Sequence, residues 1–105
     1  MNKAIRVVRI YISETDHGPN GNLKDFIFRR LREEHQVHGL TIFRGIAGFG
    51  SSGEVHAADL LTLRADLPVV IEFFDTPERV AVALDALEGL IPPGHLIIWD
   101  ATCNC

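Results

Sequence analysis

The stretch that is most informative about the fold is GLTIFRGIAGFGSSGEVH, residues 39–56. Its first half alternates residue types in the manner of a β-strand, which we predict at about residues 40–47. Its second half is rich in glycine, a residue that suits backbone at positive φ or backbone lying close to another group. We therefore expect a strand that runs into a long loop. The glycines of that loop are Gly45, Gly48, Gly50 and Gly53.

The segments on either side of this stretch alternate between strand and helix patterns. Residues 4–13, 69–74 and 95–99 are rich in β-branched and aromatic residues, which is typical of strands. Asn22 is a plausible N-cap for an amphipathic helix that we expect Gly39 to end. Thr76, followed by a proline, is a plausible N-cap for a second helix.

The predicted order is therefore βαββαβ, the split βαβ pattern of an α+β, ferredoxin-like sandwich. Its long loop lies between the second and third strands, at about residues 44–58. We expect a single domain over residues 1–105. Its core spans about residues 4–99, and residues 100–105 form a tail.

The predicted strands are apolar on both faces, although this fold supplies helices for only one. In the first strand, Val7 and Tyr11 alternate with Val8, Ile10 and Ile12. A sheet face without helices is expected to be polar in a monomer. Since a second copy of the chain is the simplest cover for an apolar face, we predict an obligate homo-oligomer.

Composition excludes several classes of protein. The net charge of −4 argues against a nucleic-acid partner, which would require a basic surface. No apolar stretch approaches the roughly 18 residues of a membrane span. The charged N-terminus is unlike a signal peptide, and two cysteines in the last three residues make no disulfide framework. We expect a cytoplasmic protein.

Several motifs together resemble a bacterial PII-like family of unknown function, DUF190. They are the Glu14-x-Asp16 turn, the run GLTIFRGIAGFG at residues 39–50, His56, the segment DLPVVIE at residues 66–72, and Asp75. The resemblance covers about residues 4–99 and implies a ferredoxin-like homotrimer. It further implies that the 44–58 loop responds to a small anionic effector, often an adenine nucleotide, bound in clefts between subunits. In the same way it implies that the loop contacts a membrane transporter or an enzyme.

The predicted ligand site lies at the start of this loop, and two interpretations of it remain open. In the first, exposed backbone N–H groups and an arginine bind an anion. In the second, the segment is a flexible hairpin whose arginine pairs with a carboxylate. The candidate ligand-binding residues are Arg44, Gly45, Gly48, Phe49, Gly50 and His56.

Two candidate metal sites also remain open. Glu14, Asp16 and His17 could bind a divalent cation, although such residues more often solvate a turn. Cys103 and Cys105 could chelate a soft metal, with histidines adding ligands, could form a strained disulfide, or could be unimportant terminal thiols. The alternative function is thus a trimeric metal-binding protein. No nucleophile or acid–base pair indicates an enzyme.

Overall fold

A computed structural model describes residues 1–50, 55–59 and 64–105, and for 55–59 and 64–65 it gives the backbone only. The segment Arg30–Glu34 continues the first helix as one turn of π-helix. Neither described helix has the length and apolar character needed to cross a membrane. The elements, in chain order, are β1 Lys3–Ser13, β2 His17–Gly18, β3 Gly21–Asn22, α1 Leu23–Arg29, β4 Gly39–Arg44, β5 Ala47–Phe49, β6 Val55–Asp59, β7 Arg64–Ala65, β8 Pro68–Asp75, α2 Pro77–Ala86 and β9 Leu96–Cys103.

The central sheet contains four strands in the order β4-β8-β1-β9, all paired antiparallel. β1 lies between β8 and β9 and forms the two longest strand pairings of the sheet. Both helices follow a strand and connect it to a strand that is not its neighbour, as in a split βαβ unit. The predicted ferredoxin-like α+β fold is confirmed.

The core lies between the two helices and one face of this sheet. Alternate residues of β1 and β8 point to that face because successive strand side chains point in opposite directions. The helices add residues at spacings of three and four, which lie on one side of a helix. The buried cluster consists of Val8, Ile10, Ile12, Leu23, Ile27, Leu31, Val69, Ile71, Phe73, Val80, Ala83 and Leu87.

Both predicted N-caps are confirmed. The Asn22 side chain accepts a hydrogen bond from the backbone N–H of Asp25, and the Thr76 side chain accepts one from Arg79. The predicted end of the first helix is wrong, because Gly39 is the first residue of β4. A Cβ on Gly39 would lie 2.5 Å from the Phe74 ring, so a larger residue there would have to displace that ring on the neighbouring strand.

Two further boundaries differ from the sequence prediction. The last strand continues to Cys103, because Asp100 to Cys103 pair with the first residues of β1, so only two residues remain as a tail. The predicted 44–58 loop contains a hairpin, in which β5 pairs antiparallel with β6. Ser51 to Glu54 and Leu60 to Leu63 lie outside the described residues.

Asp75 joins the ends of the two helices. Its buried carboxylate accepts hydrogen bonds from the backbone N–H groups of His38, at 3.0 Å, and Thr76, at 2.7 Å. The Arg79 guanidinium lies 3.2 Å from the same carboxylate and also donates to the carbonyl oxygens of His35 and Gln36. One carboxylate therefore fixes the start of α2 against the segment that follows α1.

We expect Asp75→Ala to lower the free energy of unfolding by about 2–3 kcal/mol, because it leaves buried donors without an acceptor. Urea unfolding at a single protein concentration measures this change. Asp85→Ala is the control: it removes an exposed carboxylate of α2 and should change the free energy of unfolding by less than about 0.5 kcal/mol. Equal effects of the two substitutions would contradict this role for Asp75.

Two glycines of the hairpin pack against Pro68, the first residue of β8. The Gly45 N–H donates to the Pro68 carbonyl oxygen at 2.7 Å. A Cβ on Gly45 would lie 2.8 Å from the proline Cγ, and one on Gly48 would lie 3.3 Å from it. Gly50 has open space around it. Close approach to a rigid ring therefore explains the first two glycines.

We predict that Gly45→Ala destabilises the protein by about 1–3 kcal/mol through this steric clash. Gly50→Ala is the matched control, and it should be neutral or stabilise by up to about 1 kcal/mol, since it restricts the unfolded chain. Chemical denaturation of both variants makes the comparison. The explanation fails if Gly45→Ala is no less stable than Gly50→Ala.

Candidate functional site

Arg44 ends β4 at the base of the hairpin, and its guanidinium forms an ion pair with Glu14. The arginine side chain is 62% exposed, whereas the glutamate side chain is 23% exposed. Within the described part of the chain, the second carboxylate oxygen of Glu14 is buried and has no hydrogen-bond partner. Arg44 thus carries an internal counter-ion while most of its side chain faces solvent.

The turn after β1 holds Glu14 in place. The Glu14 N–H donates to the Leu67 carbonyl oxygen at 2.9 Å, and its own carbonyl oxygen accepts from the Asn22 side chain at 2.7 Å. The Asp16 carboxylate accepts from the Ser13 N–H at 2.9 Å. The proposed cation ligands Glu14 and Asp16 are therefore engaged within the turn. No cluster of three or more metal-ligating side chains occurs among the residues that the structure describes.

Asp66 connects this turn to the strand that follows the hairpin. The hydroxyl of Ser13 donates to its carboxylate, and the hydroxyl of Thr15 does so at 2.9 Å. Asp66 lies two residues before β8 and Glu14 directly follows β1. Both ends of the hairpin segment, at Arg44 and at Asp66, are therefore bound to the same short turn.

The remaining candidates of the hairpin are distributed over its two strands. His56 in β6 lies directly opposite Gly48 in β5, which brings two predicted residues together although eight positions separate them. The His56 side chain is outside the described part of the structure. Phe49 projects largely exposed, as does Ile46. The described side chains of the hairpin thus present apolar groups to solvent.

A second candidate surface lies in the connection between α2 and β9. His95 and Tyr11 are held together by two contacts of 2.8 Å, from the Tyr11 N–H to the His95 carbonyl oxygen and between the His95 Nδ1 and the Tyr11 carbonyl oxygen. An open cleft of about 270 Å³ lies beside this connection. It is lined by Leu84, Leu87, Glu88, Gly89, Ile91, Pro92, Pro93, Gly94 and Leu96.

Arg44 and this cleft lie at the same end of the sheet but on opposite edges. In the sheet, Phe43 pairs with Val70, and Val70 pairs with Tyr11, which contacts His95. Three strand spacings separate the two edges, or roughly 14 Å. A single chain therefore does not bring Arg44 and the cleft into one pocket.

The sheet face opposite the helices, which we call the open face, is apolar with one ion pair at its centre. Arg9 Nε lies 2.7 Å from Glu72 Oε1, and the guanidinium lies 5.6 Å from the centre of the Trp99 ring. The pKa of the Arg9 guanidinium is raised, mainly by its hydrogen bond to Glu72 and next by its hydrogen bond to Tyr11. The open face includes Val7, Arg9, Tyr11, Thr41, Phe43, Val70, Glu72, Phe74, Ile97 and Trp99.

Sequence reasoning missed the ion pair between Arg9 and Glu72. The only signal in the sequence was that each residue interrupts an otherwise apolar strand face. Arg9 and Glu72 are 63 positions apart in the chain. Only the register of β1 against β8 shows that the two charges face one another.

Cys103 and Cys105 are free thiols near the opposite end of the sheet from Arg44. Cys103 pairs with Lys3 at the last position of β9. The hydrogen bond between the two thiols and, after it, desolvation raise the pKa of Cys103. His95 precedes the other end of the same strand, so the structure does not bring it to the thiols.

Comparisons with known proteins agree with this architecture. A UPF0166 protein of Aquifex aeolicus is 32% identical over 84 residues, which are 80% of this chain and 79% of that protein. Among solved structures, CPII from Thiomonas intermedia K12, bound to ADP and bicarbonate, superposes with a TM-score of 0.70 at 18% identity and covers 100% of this chain and 93% of its own. CPII is described as a nitrogen regulatory PII-like protein.

A divalent ion tolerance protein, CutA1 from Ehrlichia chaffeensis, shares the fold with a TM-score of 0.55 at 16% identity, covering 96% of this chain and 82% of its own. At these identities the two structural similarities show the fold alone. The family model for DUF190, described as Uncharacterized ACR, COG1993, matches residues 5–103. Because that match spans nearly the whole sequence, the chain belongs to the DUF190 family of PII-like fold.

Proposed function

We propose that this protein is a PII-like regulator that binds a small anionic effector and signals through the 44–58 hairpin. The observation that carries the proposal is the ion pair of Arg44 with Glu14 at the base of that hairpin. An exposed arginine with an internal counter-ion is a two-state element, since an anion and Glu14 compete for the same guanidinium donors. The turn that holds Glu14 also holds Asp66, so exchange of partners affects both ends of the hairpin.

The oligomer that completes the site is, in this proposal, a homotrimer packed through the open face. Tyr11, Phe43, Ile97 and Trp99 are large exposed side chains on that face. Contiguous apolar surface of this kind marks an interface. The pair between Arg9 and Glu72 is already satisfied within one chain, so its burial against a second copy leaves no lone charge.

The two edges of the sheet also suit pairing between copies. Since each neighbouring pair in the order β4-β8-β1-β9 is antiparallel, β4 and β9 run in opposite directions. Neither edge strand contains a proline, which would block further pairing. A contact between β4 of one copy and β9 of the next is heterologous, and it closes a trimeric ring when the rotation between copies is one third of a turn.

Such a ring brings Arg44 of one copy to the level of Gly94 and His95 of the next. The pocket would combine the guanidinium with the largely apolar cleft beside the α2–β9 connection. A charged anchor next to an apolar cleft suits a ligand with an anionic group and a flat apolar body, such as an adenine nucleotide. CPII, solved with ADP and bicarbonate, supports these two ligands as the first probes.

The output of the proposed regulator is a contact of the hairpin with a membrane transporter or an enzyme. Ile46 and Phe49 support this assignment, because they are large apolar side chains exposed near the start of the hairpin. An effector must bind one hairpin arrangement more tightly than the other to change this contact. The cytoplasmic location remains a prediction of the sequence.

The open-face interface predicts that Trp99→Glu dissociates the oligomer, because a carboxylate would be buried in an apolar contact. Phe28→Glu is the matched control, since Phe28 on α1 is 38% exposed and Trp99 is 39% exposed. Sedimentation equilibrium at micromolar concentration should give a trimer for the control and a monomer for Trp99→Glu. A monomeric unsubstituted protein, or a trimer that persists in Trp99→Glu, would refute the interface.

The effector site predicts that Arg44→Ala lowers the affinity for ADP or bicarbonate at least tenfold, through loss of charge-assisted hydrogen bonds worth about 1.5–3 kcal/mol. Glu14→Gln should instead raise the affinity, because it weakens the internal competitor of the anion. Isothermal titration calorimetry with each probe gives both values. Arg32→Ala removes an exposed cation from the helical segment and serves as the control, with unchanged affinity expected.

Unchanged affinity in Arg44→Ala, with the trimer intact, would exclude Arg44 as the anchor of the effector. Weaker binding in Glu14→Gln would show that Glu14 supports the ligand rather than competing with it. If neither probe binds the unsubstituted trimer, the nucleotide and bicarbonate assignments fail.

A further inference from the structure

His95, the last residue before β9, carries a ring nitrogen that the chain itself does not use. We propose that its Nε2 accepts a hydrogen bond from the O–H of a bicarbonate ion whose charge is bound by Arg44 of the neighbouring copy. The proposal rests on the effector site and the homotrimer proposed above, and it deepens them by naming the ion and the residue that recognises its proton. Within the described part of the chain, the only polar contact of the imidazole ring is made by Nδ1.

The ring takes the place of a backbone group in the sheet. Just beyond the last pair of β1 and β9, the Tyr11 N–H donates to the His95 carbonyl oxygen at 2.8 Å. The His95 N–H does not return this bond, because it donates to the Pro92 carbonyl oxygen at 3.1 Å. The imidazole Nδ1 lies 2.8 Å from the Tyr11 carbonyl oxygen instead. Since a carbonyl oxygen only accepts, Nδ1 donates and carries the proton, and the neutral ring presents Nε2 as an acceptor.

The same contact decides where Nε2 points. The two nitrogens of an imidazole ring face nearly opposite directions, so a ring whose Nδ1 faces β1 directs its Nε2 away from β1. Because β9 is an edge strand with β1 as its neighbour, Nε2 points past the edge of the sheet. This is the edge that the proposed ring joins to β4 of the next copy. Nε2 of one copy and the Arg44 guanidinium of another would therefore line the same pocket.

The two groups differ in what they offer a ligand. A guanidinium only donates, whereas an imidazole nitrogen without a proton only accepts. Bicarbonate satisfies both, because its charged oxygens accept from Arg44 and its O–H donates to Nε2. Acetate has similar carboxylate oxygens but no O–H, so it would leave Nε2 without a donor. A site built to pair with a hydroxyl discriminates against an analogue that lacks it, so the pocket selects bicarbonate over acetate.

Two substitutions separate the Nε2 of His95 from the structural contact of its Nδ1. Asparagine places an amide N–H near the position of Nδ1, so His95→Asn keeps a donor for the Tyr11 carbonyl oxygen and removes the Nε2 acceptor. Glutamine places its amide near the position of Nε2, so His95→Gln keeps an acceptor there. Isothermal titration calorimetry with bicarbonate and with acetate gives the selectivity of each variant. The titrations are made at pH 8, where an imidazole is ordinarily neutral.

We expect His95→Asn to lower the affinity for bicarbonate about fivefold and to change that for acetate by less than about twofold, because only bicarbonate loses a hydrogen bond. His95→Gln should retain most of the preference for bicarbonate, since an amide oxygen also accepts. Arg44→Ala should lower both affinities, because both anions use the guanidinium.

A mixture of copies tests whether the two residues come from different chains. Equal amounts of the Arg44→Ala and His95→Asn proteins are unfolded together and refolded into mixed trimers. In a random mixture about one quarter of the heterologous interfaces join an intact Arg44 to an intact His95, and those sites should regain the affinity of the unsubstituted protein. If one chain supplied both residues, the mixed trimers would regain no sites.

Equal affinities of the unsubstituted protein for the two anions overturn the proposal, as does an unchanged ratio of these affinities in His95→Asn. The absence of regained sites in mixed trimers also overturns it. If the unsubstituted trimer binds ADP but neither anion, the effector site stands and the His95 contact fails; if it binds none of the three, both fail. Circular dichroism and sedimentation of each variant check that the fold and the trimer are kept.

Discussion

The structure depends on a sheet whose two faces are both apolar while the helices cover only one. On the covered face, Ile10, Ile71 and Phe73 are fully buried beneath the helices. On the open face, Trp99 and Phe43 remain exposed in a single chain. Burial of these exposed side chains against another surface would favour association, because the removal of apolar surface from water is worth about 25 cal/mol per Å². The oligomer that we propose would cover this open face.

The polar groups of the molecule are concentrated where elements meet. Asp75 joins the end of the first helical segment to the start of α2, and Asp66 joins the turn after β1 to the start of β8. In each place one carboxylate accepts at least one hydrogen bond from a segment that is distant in the chain. The Arg44–Glu14 pair belongs to the second of these junctions but is more exposed than the contacts around it.

Local signals in the sequence were sufficient for the order of elements and for both helix starts. A cap is a contact between residues three positions apart, so Asn22 and Thr76 could be identified without tertiary information. Gly39 was misassigned because its role depends on the Phe74 ring, which belongs to a strand 35 positions later. The same limitation ended the last strand too early, since Asp100 and Ala101 have little strand propensity but find hydrogen-bond partners along β1.

The sequence by itself determined the fold class, the family resemblance and the apolar character of both sheet faces, because alternation along a strand is visible in any single segment. Only the tertiary structure decided which charges face each other. It paired Arg44 with Glu14 and Arg9 with Glu72, and it placed the cleft beside His95 on the edge opposite to Arg44. The physical reason is register: side-chain partners across a sheet are set by hydrogen bonds between strands that no local pattern encodes.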